Sequence, residues 1–492
     1  MKIYLSPVLI LVLLFIFLKP SYAQQNVSRA IVKIYTVYTE YDYDMPWRIS
    51  RQKEMSGSGC IISGKRILTN AHVIADQRFV QVKRAGEVKK YVAETEFVAH
   101  DCDLAVLKVN DDAFFSGAEP ISIGTLAKMQ DKVAVYGFPE GGDELCITEG
   151  VVSRVEYQHY AHSAAYLLAC QIDAAINSGN SGGPVIKNGK IAGVAFQKQD
   201  SGEKIGYMIP APVIQHFVKD IKDGAYDGVP SLEGHFQSMQ NPGLRSKYQL
   251  NDRQTGVLVT YIPKGSPLEG MVKYGDVVLS VNGEIIENDG TIPFRETGRL
   301  DAEYIVHNKF IGDSVKLEIL RDGTVIPVNI ALTVPITSTA LVPFAQYDKA
   351  PTYYIVGGLV FQPLTGNYLS KWTEQKDAPV HLVNYFHNGK RSEDRMQVIV
   401  LTQVLGDEIT ESYSDLTNNV IARVNGRHIA SIEDLVRSVE FNKGEYHVIV
   451  DEYGNQIVLH RNKIKEANER MFKKYGIPSD RSEDLKAISG QP

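Results

Sequence analysis

Cysteine is scarce. The 492-residue chain carries four, Cys60, Cys102, Cys146 and Cys170, and none stands at metal-ligand spacing from another. That removes a thiolate zinc framework. Four thiols allow three disulfide pairings, among which sequence offers no choice, so none is assigned. An excess of one charge is missing too. Formal net charge is −6, and Lys and Arg are dispersed, which argues against a nucleic-acid partner, whose electrostatic footprint is a basic face. Beyond residue 23 no apolar run reaches the ~20 residues of a membrane-spanning helix. No low-complexity stretch argues for disorder.

What is present begins with a leader. Lys2 is followed by an unbroken apolar run from Pro7 to Leu18, and Ser21-Tyr22-Ala23 puts small residues where a signal peptidase reads. Residues 1–23 are expected to be a signal peptide cleaved after Ala23. The mature protein is then exported, to the periplasm of a Gram-negative cell or otherwise secreted.

The remaining length suits about three domains. From Ala30 to Pro212 it reads as many short strands, among them Ala30–Val37, Ser58–Ile62, Lys132–Tyr136, Ile147–Val155, Leu167–Ile172 and Lys190–Phe196. Glycines and polar turns separate them, the signature of barrels or sandwiches. Val213, Ile214, Phe217, Val218 and Ile221 then recur at helical spacing, and Gly224 and Gly228-Val229-Pro230 close that domain. Further on, Gly275–Gly283 resembles Asn418–Gly426, each an apolar strand running into Asn-Gly. Two similar domains are expected, not a solenoid. Ser431-Ile432-Glu433-Asp434 is a capping box opening a helix. A charged helix is expected over Asn462–Tyr475, with a solvated tail from Pro478.

Three segments carry chemistry. Thr69-Asn70-Ala71-His72-Val73, Asp103-Leu104-Ala105-Val106-Leu107 and Gly179-Asn180-Ser181-Gly182-Gly183-Pro184 supply a base, a carboxylate and a nucleophile. Gly179 to Gly183 also matches Gly-x-Ser-x-Gly, but an α/β-hydrolase elbow puts its acid and base after the serine. Here they precede it, as in the double-barrel serine proteases. His72 is expected to take the serine proton and later protonate the leaving amine, and Asp103 to fix the imidazole tautomer. Asp101 is the rival carboxylate; Asp103 is preferred because it abuts the apolar strand. Gly179, Asn180 and Ser181 are the expected oxyanion-hole residues, glycine permitting the turn that aims N–H groups inward. His159 and His162 in His-Tyr-Ala-His lack a third ligand and are read as a loop. No metal and no cofactor is expected.

In these contexts His72, Asp103 and Ser181, with Asp173-Ala174-Ala175-Ile176-Asn177, Tyr136-Gly137-Phe138-Pro139 and Gly206-Tyr207-Met208-Ile209-Pro210, resemble the HtrA/Deg proteases. Asn288-Asp289-Gly290-Thr291-Ile292-Pro293-Phe294-Arg295 adds a likeness to their plant-type branch. The resemblance implies a mainly β protein: a chymotrypsin-like double β-barrel protease domain (24–225), two PDZ-like α+β domains (230–335 and 350–461), and a C-terminal helix and tail (462–492). It also implies ATP-independent endoproteolysis of unfolded or damaged proteins and homo-oligomers built from trimers. Loops that order on substrate binding are expected at Gly141–Cys146 and Phe196–Glu203.

Specificity follows from one position. Trypsin-like enzymes carry an aspartate six residues before the serine; here that residue is Ala175, and an unpaired substrate cation beside it would be costly to desolvate. Ile176, Gly193, Val194 and Ala195 are the other expected pocket walls, favouring cleavage after Val, Ala, Ile or Leu. Asn180 cannot form the ion pair with a new N-terminus that activates zymogens. A PDZ groove captures C-terminal or internal peptides by strand addition. Gly358-Leu359-Val360-Phe361 reads as such a carboxylate-binding turn and strand. Leu232-Glu233-Gly234-His235-Phe236 holds that place in the first domain, with Glu233 as a departure. The competing function is a non-proteolytic chaperone or peptide scaffold with the same fold.

Overall fold

The computed structural model describes residues 27–198, 205–295, 298–373 and 375–488. The expected signal peptide, and residues 199–203 of the second expected loop, lie outside them.

Short strands with one apolar face bury it by closing into barrels, which also removes their open edges. β1 (Ile31–Tyr41), β2 (Ile49–Ile62), β3 (Arg66–Thr69), β4 (Gln77–Arg84), β5 (Tyr91–Ala99) and β6 (Leu104–Lys108) form the first barrel, ordered β1-β2-β3-β6-β5-β4. β7 (Lys132–Gly137), β8 (Cys146–His159), β9 (Tyr166–Ile172), β10 (Pro184–Lys187), β11 (Lys190–Lys198) and β12 (Gly206–Pro210) form the second, ordered β10-β11-β12-β9-β8-β7. β4 alternates buried and half-exposed residues along its second half, as a strand with one face in the core must. In β6, Leu104, Ala105, Val106 and Leu107 are all fully buried between β3 and β5. Helix α1 (Ala211–Asp220) turns Ile214 and Phe217 inward and ends near Gly224, whose φ of +99° only glycine adopts readily. All four cysteines are free thiols.

The chain forms two compact units that exchange segments. One gathers the chain up to Tyr38, Lys53–Val229 and Pro293–Phe310; the other gathers Thr39–Gln52, Pro230–Ile292 and the chain from Ile311 onward. In the first unit the late segment packs on the second barrel. His307 stacks on Tyr157 and bonds its hydroxyl through Nδ1 (2.9 Å), Phe310 stacks on His216, and Arg295 donates to the Ala127 carbonyl (2.9 Å).

In the second unit one sheet runs His235–Ser238, Val257–Tyr261, Val277–Val281, Ser314–Arg321 and Thr324–Ala331 in that order. Further on, Tyr354–Val356, Leu359–Pro363 and Ile399–Val404 form a three-stranded sheet, beside a four-stranded one that includes Ile421–Val424. Both Asn-Gly pairs, Asn282-Gly283 and Asn425-Gly426, have positive φ at both residues and close tight hairpins. The helix Ile432–Glu440 starts at a capping box of Ser431 and Asp434. The segment Thr39–Gln52 contributes Trp47, edge-on to Tyr353, and the Tyr43 carbonyl, which accepts from Gln362 (2.8 Å).

The expected helix near the C-terminus is present over Arg461–Tyr475, but residues 479–488 are not a solvated tail. Ile355 N–H donates to the Asp480 carbonyl (2.7 Å), and Ser482 N–H to that of Tyr353 (3.0 Å). Leu485 is 2% exposed within the core that holds Phe361 and Leu435. Arg481 is partnered by Glu440 (2.6 Å) and Asp480 (2.8 Å). Leu485→Ala is therefore expected to destabilise the second unit by about 2–5 kcal/mol in urea unfolding. Lys486→Ala, at an exposed position, should stay within about 0.5 kcal/mol; equal, near-zero effects would mean the segment is not packed.

Candidate active site

The site is built from the connections of the first barrel. β3 ends at Thr69 and β6 begins at Leu104, and these paired strands bring Asn70-Ala71-His72 beside Asp103. Asp103 sits at φ +54°, a left-handed conformation that non-glycine residues hold only when their surroundings enforce it. Three bonds do so. Asn70 Nδ2 donates to the Asp103 carbonyl (2.8 Å), His72 N–H to Oδ1 (2.9 Å), and His72 Nδ1 lies 2.7 Å from Oδ2. A carboxylate accepts only, so the ring proton sits on Nδ1 and Nε2 is left as a base.

Asp103 is 1% exposed, and the His72 side chain 26%. Burial alone would push the Asp103 carboxyl up, but the charge and hydrogen bond of His72 outweigh it and hold the pKa below the ordinary value. Burial alone would pull His72 down; the Asp103 charge and bond reverse that and raise it.

The serine turn comes from the second barrel, just before β10. Ser181 receives Ser58 N–H on its carbonyl (2.8 Å), and Gly182 N–H donates to the Ala195 carbonyl (2.9 Å). A Cβ on Gly182 would run into the Ser58 carbonyl and the Thr69 hydroxyl. The turn after Ser181 is therefore pressed against the end of β3, three residues before His72. Gly179 has φ +91°, and the carbonyl of Ser178 faces Glu140 N–H (2.8 Å). A trans peptide points its N–H opposite its carbonyl, so the Gly179 N–H is turned away from Glu140. Among the described residues neither Gly179 N–H nor Ser181 N–H has a partner. Asn180 N–H is spent on the Asn177 carbonyl (2.9 Å). Asn180, expected among the oxyanion-hole residues, is therefore no donor, because the turn that frees its neighbours consumes its own N–H. Its side chain is 2% exposed with Oδ1 unpartnered among the described residues, a position where a neutral amide costs less than a carboxylate.

The other expected residues divide. The Ala175 carbonyl accepts from Thr148 (3.1 Å). Ile176 (8% exposed) and Ala195 (fully buried) belong to the core of the second barrel, Val194 is buried, and Gly193 lies opposite Pro210 of β12. The loop at Gly141–Cys146 is tied down where Lys33 reaches Gly142 O and Asp143 (both 2.7 Å). Gly358-Leu359-Val360-Phe361 was expected to offer an edge to a peptide. Instead Leu359–Pro363 is the middle strand, with Tyr354–Val356 on one side and Ile399–Val404 on the other. Gly357 and Gly358, both at positive φ, fold the chain back so that its own preceding strand fills the place. In the other sheet, His235–Ser238 is a terminal strand. Glu233 beside it is engaged by Thr337 N–H (2.8 Å) and by the N–H and hydroxyl of Thr339 (3.1 and 2.5 Å).

Sequence reasoning set Asp101 aside as the weaker carboxylate, and missed its task. It accepts from Cys102 N–H (2.8 Å), the Tyr226 hydroxyl (2.6 Å) and Val229 N–H (2.8 Å), fastening the end of the first unit's main segment two residues from Asp103. The excess of polar residues between two apolar strands was the available signal.

Residues 57–194 match the trypsin-like peptidase domain family, and residues 243–332 and 342–484 each match a PDZ domain family. Protease Do-like 4, mitochondrial, of Arabidopsis thaliana is 38% identical over 92% of this chain and 84% of its own length. Protease Do-like 2, chloroplastic, of the same plant is 38% identical over 93% of this chain and 75% of its own. The chain belongs to the Do-like, or HtrA/Deg, family of serine endopeptidases. In fold this Do-like protease is similar to the HtrA-type protease AlgW, solved as a serine-to-alanine variant with a decapeptide, at TM-score 0.52 and 22% identity over 65% of this chain and 98% of that one.

For this Do-like protease the buried pair fixes a sign. The raised His72 pKa contributes stability that is full below ~6.5 and lost as pH rises through the folded value. The lowered Asp103 pKa contributes stability present above ~3.9 and lost as pH falls through its folded value. NMR titration should place His72 above ~6.5 in the intact protein and below it in Asp103→Asn, where burial is left uncompensated. An unmoved His72 would mean that the carboxylate does not set its charge.

Proposed function

We propose that the endopeptidase acts through His72 as general base, Asp103 as its orienting carboxylate and Ser181 as nucleophile. The observation that carries this reading is the 2.7 Å contact between His72 Nδ1 and buried Asp103, which leaves Nε2 unprotonated. Ser181 follows Gly179 in the turn pressed on the end of β3. Nε2 takes the serine proton as Oγ attacks the scissile carbonyl, and returns it to the leaving amine. The unpartnered N–H groups of Gly179 and Ser181 receive the oxyanion.

Its substrates are unfolded or damaged polypeptides, cut without ATP after small or medium aliphatic residues. Ala175 supports this, since it leaves no charge to pair with Lys or Arg. Peptides add to the terminal strand His235–Ser238, which pairs along one side only, with Val257–Tyr261. The HtrA-type protease AlgW was solved with bound peptides, and we carry that property to this chain as part of the proposal. Assembly into homo-oligomers built from trimers belongs to the same reading. Residues 1–23 act as a leader that takes the chain out of its compartment of synthesis, by export; the plant relatives carry mitochondrial and chloroplastic names.

Digestion of an unfolded protein by the mature chain, with products mapped by mass spectrometry, tests this. Wild type should cut after Val, Ala, Ile or Leu, and Ser181→Ala should lose about 10⁶-fold in kcat. Cleavage after Lys or Arg would overturn the pocket. Equal cleavage by the variant would overturn the nucleophile. Suppressed aggregation with no cleavage by either would make the protein a chaperone.

A further inference from the structure

Ser58, in β2, is fully buried, and every polar group it owns is committed. Its N–H donates to the Ser181 carbonyl (2.8 Å), and its carbonyl accepts from the Thr69 hydroxyl (2.7 Å) at the end of β3. Its own hydroxyl does two things. Oγ donates to the Gly179 carbonyl (2.7 Å) and accepts from the N–H of Phe138 (2.8 Å), the residue after β7. A hydroxyl has one proton to give and lone pairs to receive, so both bonds form at once. One side chain of the first barrel thus fastens two separate loops of the second.

What those bonds control follows from the planar peptide, in which fixing a carbonyl also fixes the N–H of the next residue. Glu140 N–H holds the Ser178 carbonyl (2.8 Å) and so aims Gly179 N–H; Gly183 N–H holds the Asn180 carbonyl (2.9 Å) and so aims Ser181 N–H. Between these two peptides lies that of Gly179 and Asn180, hinged on a glycine at φ +91°. With no Cβ, that hinge has little intrinsic preference to keep it still. Ser58 Oγ holds it from both sides. It binds the Gly179 carbonyl directly, and through Phe138 it anchors the stretch whose Glu140, two residues on, holds Ser178. We infer that Ser58 is a positioning residue for the oxyanion hole: its hydroxyl locks the Gly179 peptide so that the N–H groups of Gly179 and Ser181 converge on the charge that forms during attack.

Removing Oγ takes that partner from both the Gly179 carbonyl and Phe138 N–H at a buried place, and the hinge is then free to turn in search of others. The base is untouched, because His72 and Asp103 are held by each other and by Asn70. The loss therefore falls on the transition state and spares substrate binding.

The inference rests on the proposed nucleophile and oxyanion hole, and its test separates the two. Ser58→Ala in the mature chain should lower kcat on a peptide substrate about 10–100-fold, with KM within about threefold of wild type. Ile61→Val shortens a buried side chain of the same strand (1% exposed) and should leave kcat within about twofold. An equal fall in both variants marks a merely structural role and overturns the inference, as does an unchanged kcat in Ser58→Ala. Should Ser58→Ala fail to fold by circular dichroism, Ser58→Cys fills the site with a weaker donor, and the same kcat and KM comparison decides. A peptidyl trifluoromethyl ketone labelled with ¹³C at its carbonyl reads the hole directly. Ser181 Oγ bonds to that carbon, the serine proton passes to His72, and the carbonyl oxygen becomes the oxyanion. In an NMR titration of the adduct, the hemiketal oxygen of Ser58→Ala should ionise about one pH unit higher for each tenfold lost in kcat. Equal ionisation in wild type and variant overturns the inference, and so does a displaced His72 titration in the free variant, which would place the effect on the base. Absence of any adduct in the wild type would instead overturn Ser181 as nucleophile, and this inference with it.

Discussion

A carboxylate with 1% of its surface exposed has given up its water, and a protein tolerates that only where something else meets the charge. At Asp103 the replacement is His72, once through its backbone N–H and once through its ring. Nearly everything local follows from satisfying that one group. Asn70 turns its amide to the Asp103 carbonyl, the backbone accepts a left-handed conformation, and β3 and β6 are kept in the register that places both residues at one barrel end. Removing one partner of such a pair costs more than the pair contributes, because the other is left buried alone.

The Ser181 turn is constrained differently, by volume. Gly182 has no room for a side chain against Ser58 and Thr69, and Gly179 takes a φ that L-residues rarely adopt. These two glycines let a loop of the second barrel touch a strand of the first. The same turn spends Asn180's N–H on the Asn177 carbonyl and, among the described residues, leaves those on either side of it unpaired. Electrostatics positions His72 and sterics positions Ser181, so substitutions at the two halves should fail in different ways.

Much of this was legible in the sequence, for identifiable reasons. Strand positions such as Lys132–Tyr136 were marked by local alternation and bounded by turns. The Asn-Gly hairpins and the Ser431–Asp434 capping box are local hydrogen-bond chemistry, readable within a few residues. His72, Asp103 and Ser181 were readable because each stands in a distinctive segment. What escaped depends on chain neighbours far apart in number. The bond from the Ser58 hydroxyl to the Gly179 carbonyl spans 121 residues. The flanking of Leu359–Pro363 on both edges depends on which strands choose to pair. Leu485 looked solvated because Asp480, Arg481, Glu483 and Lys486 surround it, and nothing local shows that Arg481 turns to Glu440. Asn180's role failed for a finer reason, the direction of one N–H within a correctly located turn.

The exchange of segments sets an order on the making of this protein. The first unit needs Pro293–Phe310 to cover Tyr157 and His216, so it cannot be finished when Val229 leaves the ribosome; it must wait for about eighty more residues, including most of a sheet belonging to the other unit. The second unit in turn needs Thr39–Gln52, made long before, which has to be kept free until Tyr353 and Gln362 exist to receive it. Neither half is a continuous stretch of polypeptide, so neither can be inherited, shuffled or excised as a simple cassette. The protease and its binding modules are bound to one another by the path of the chain itself.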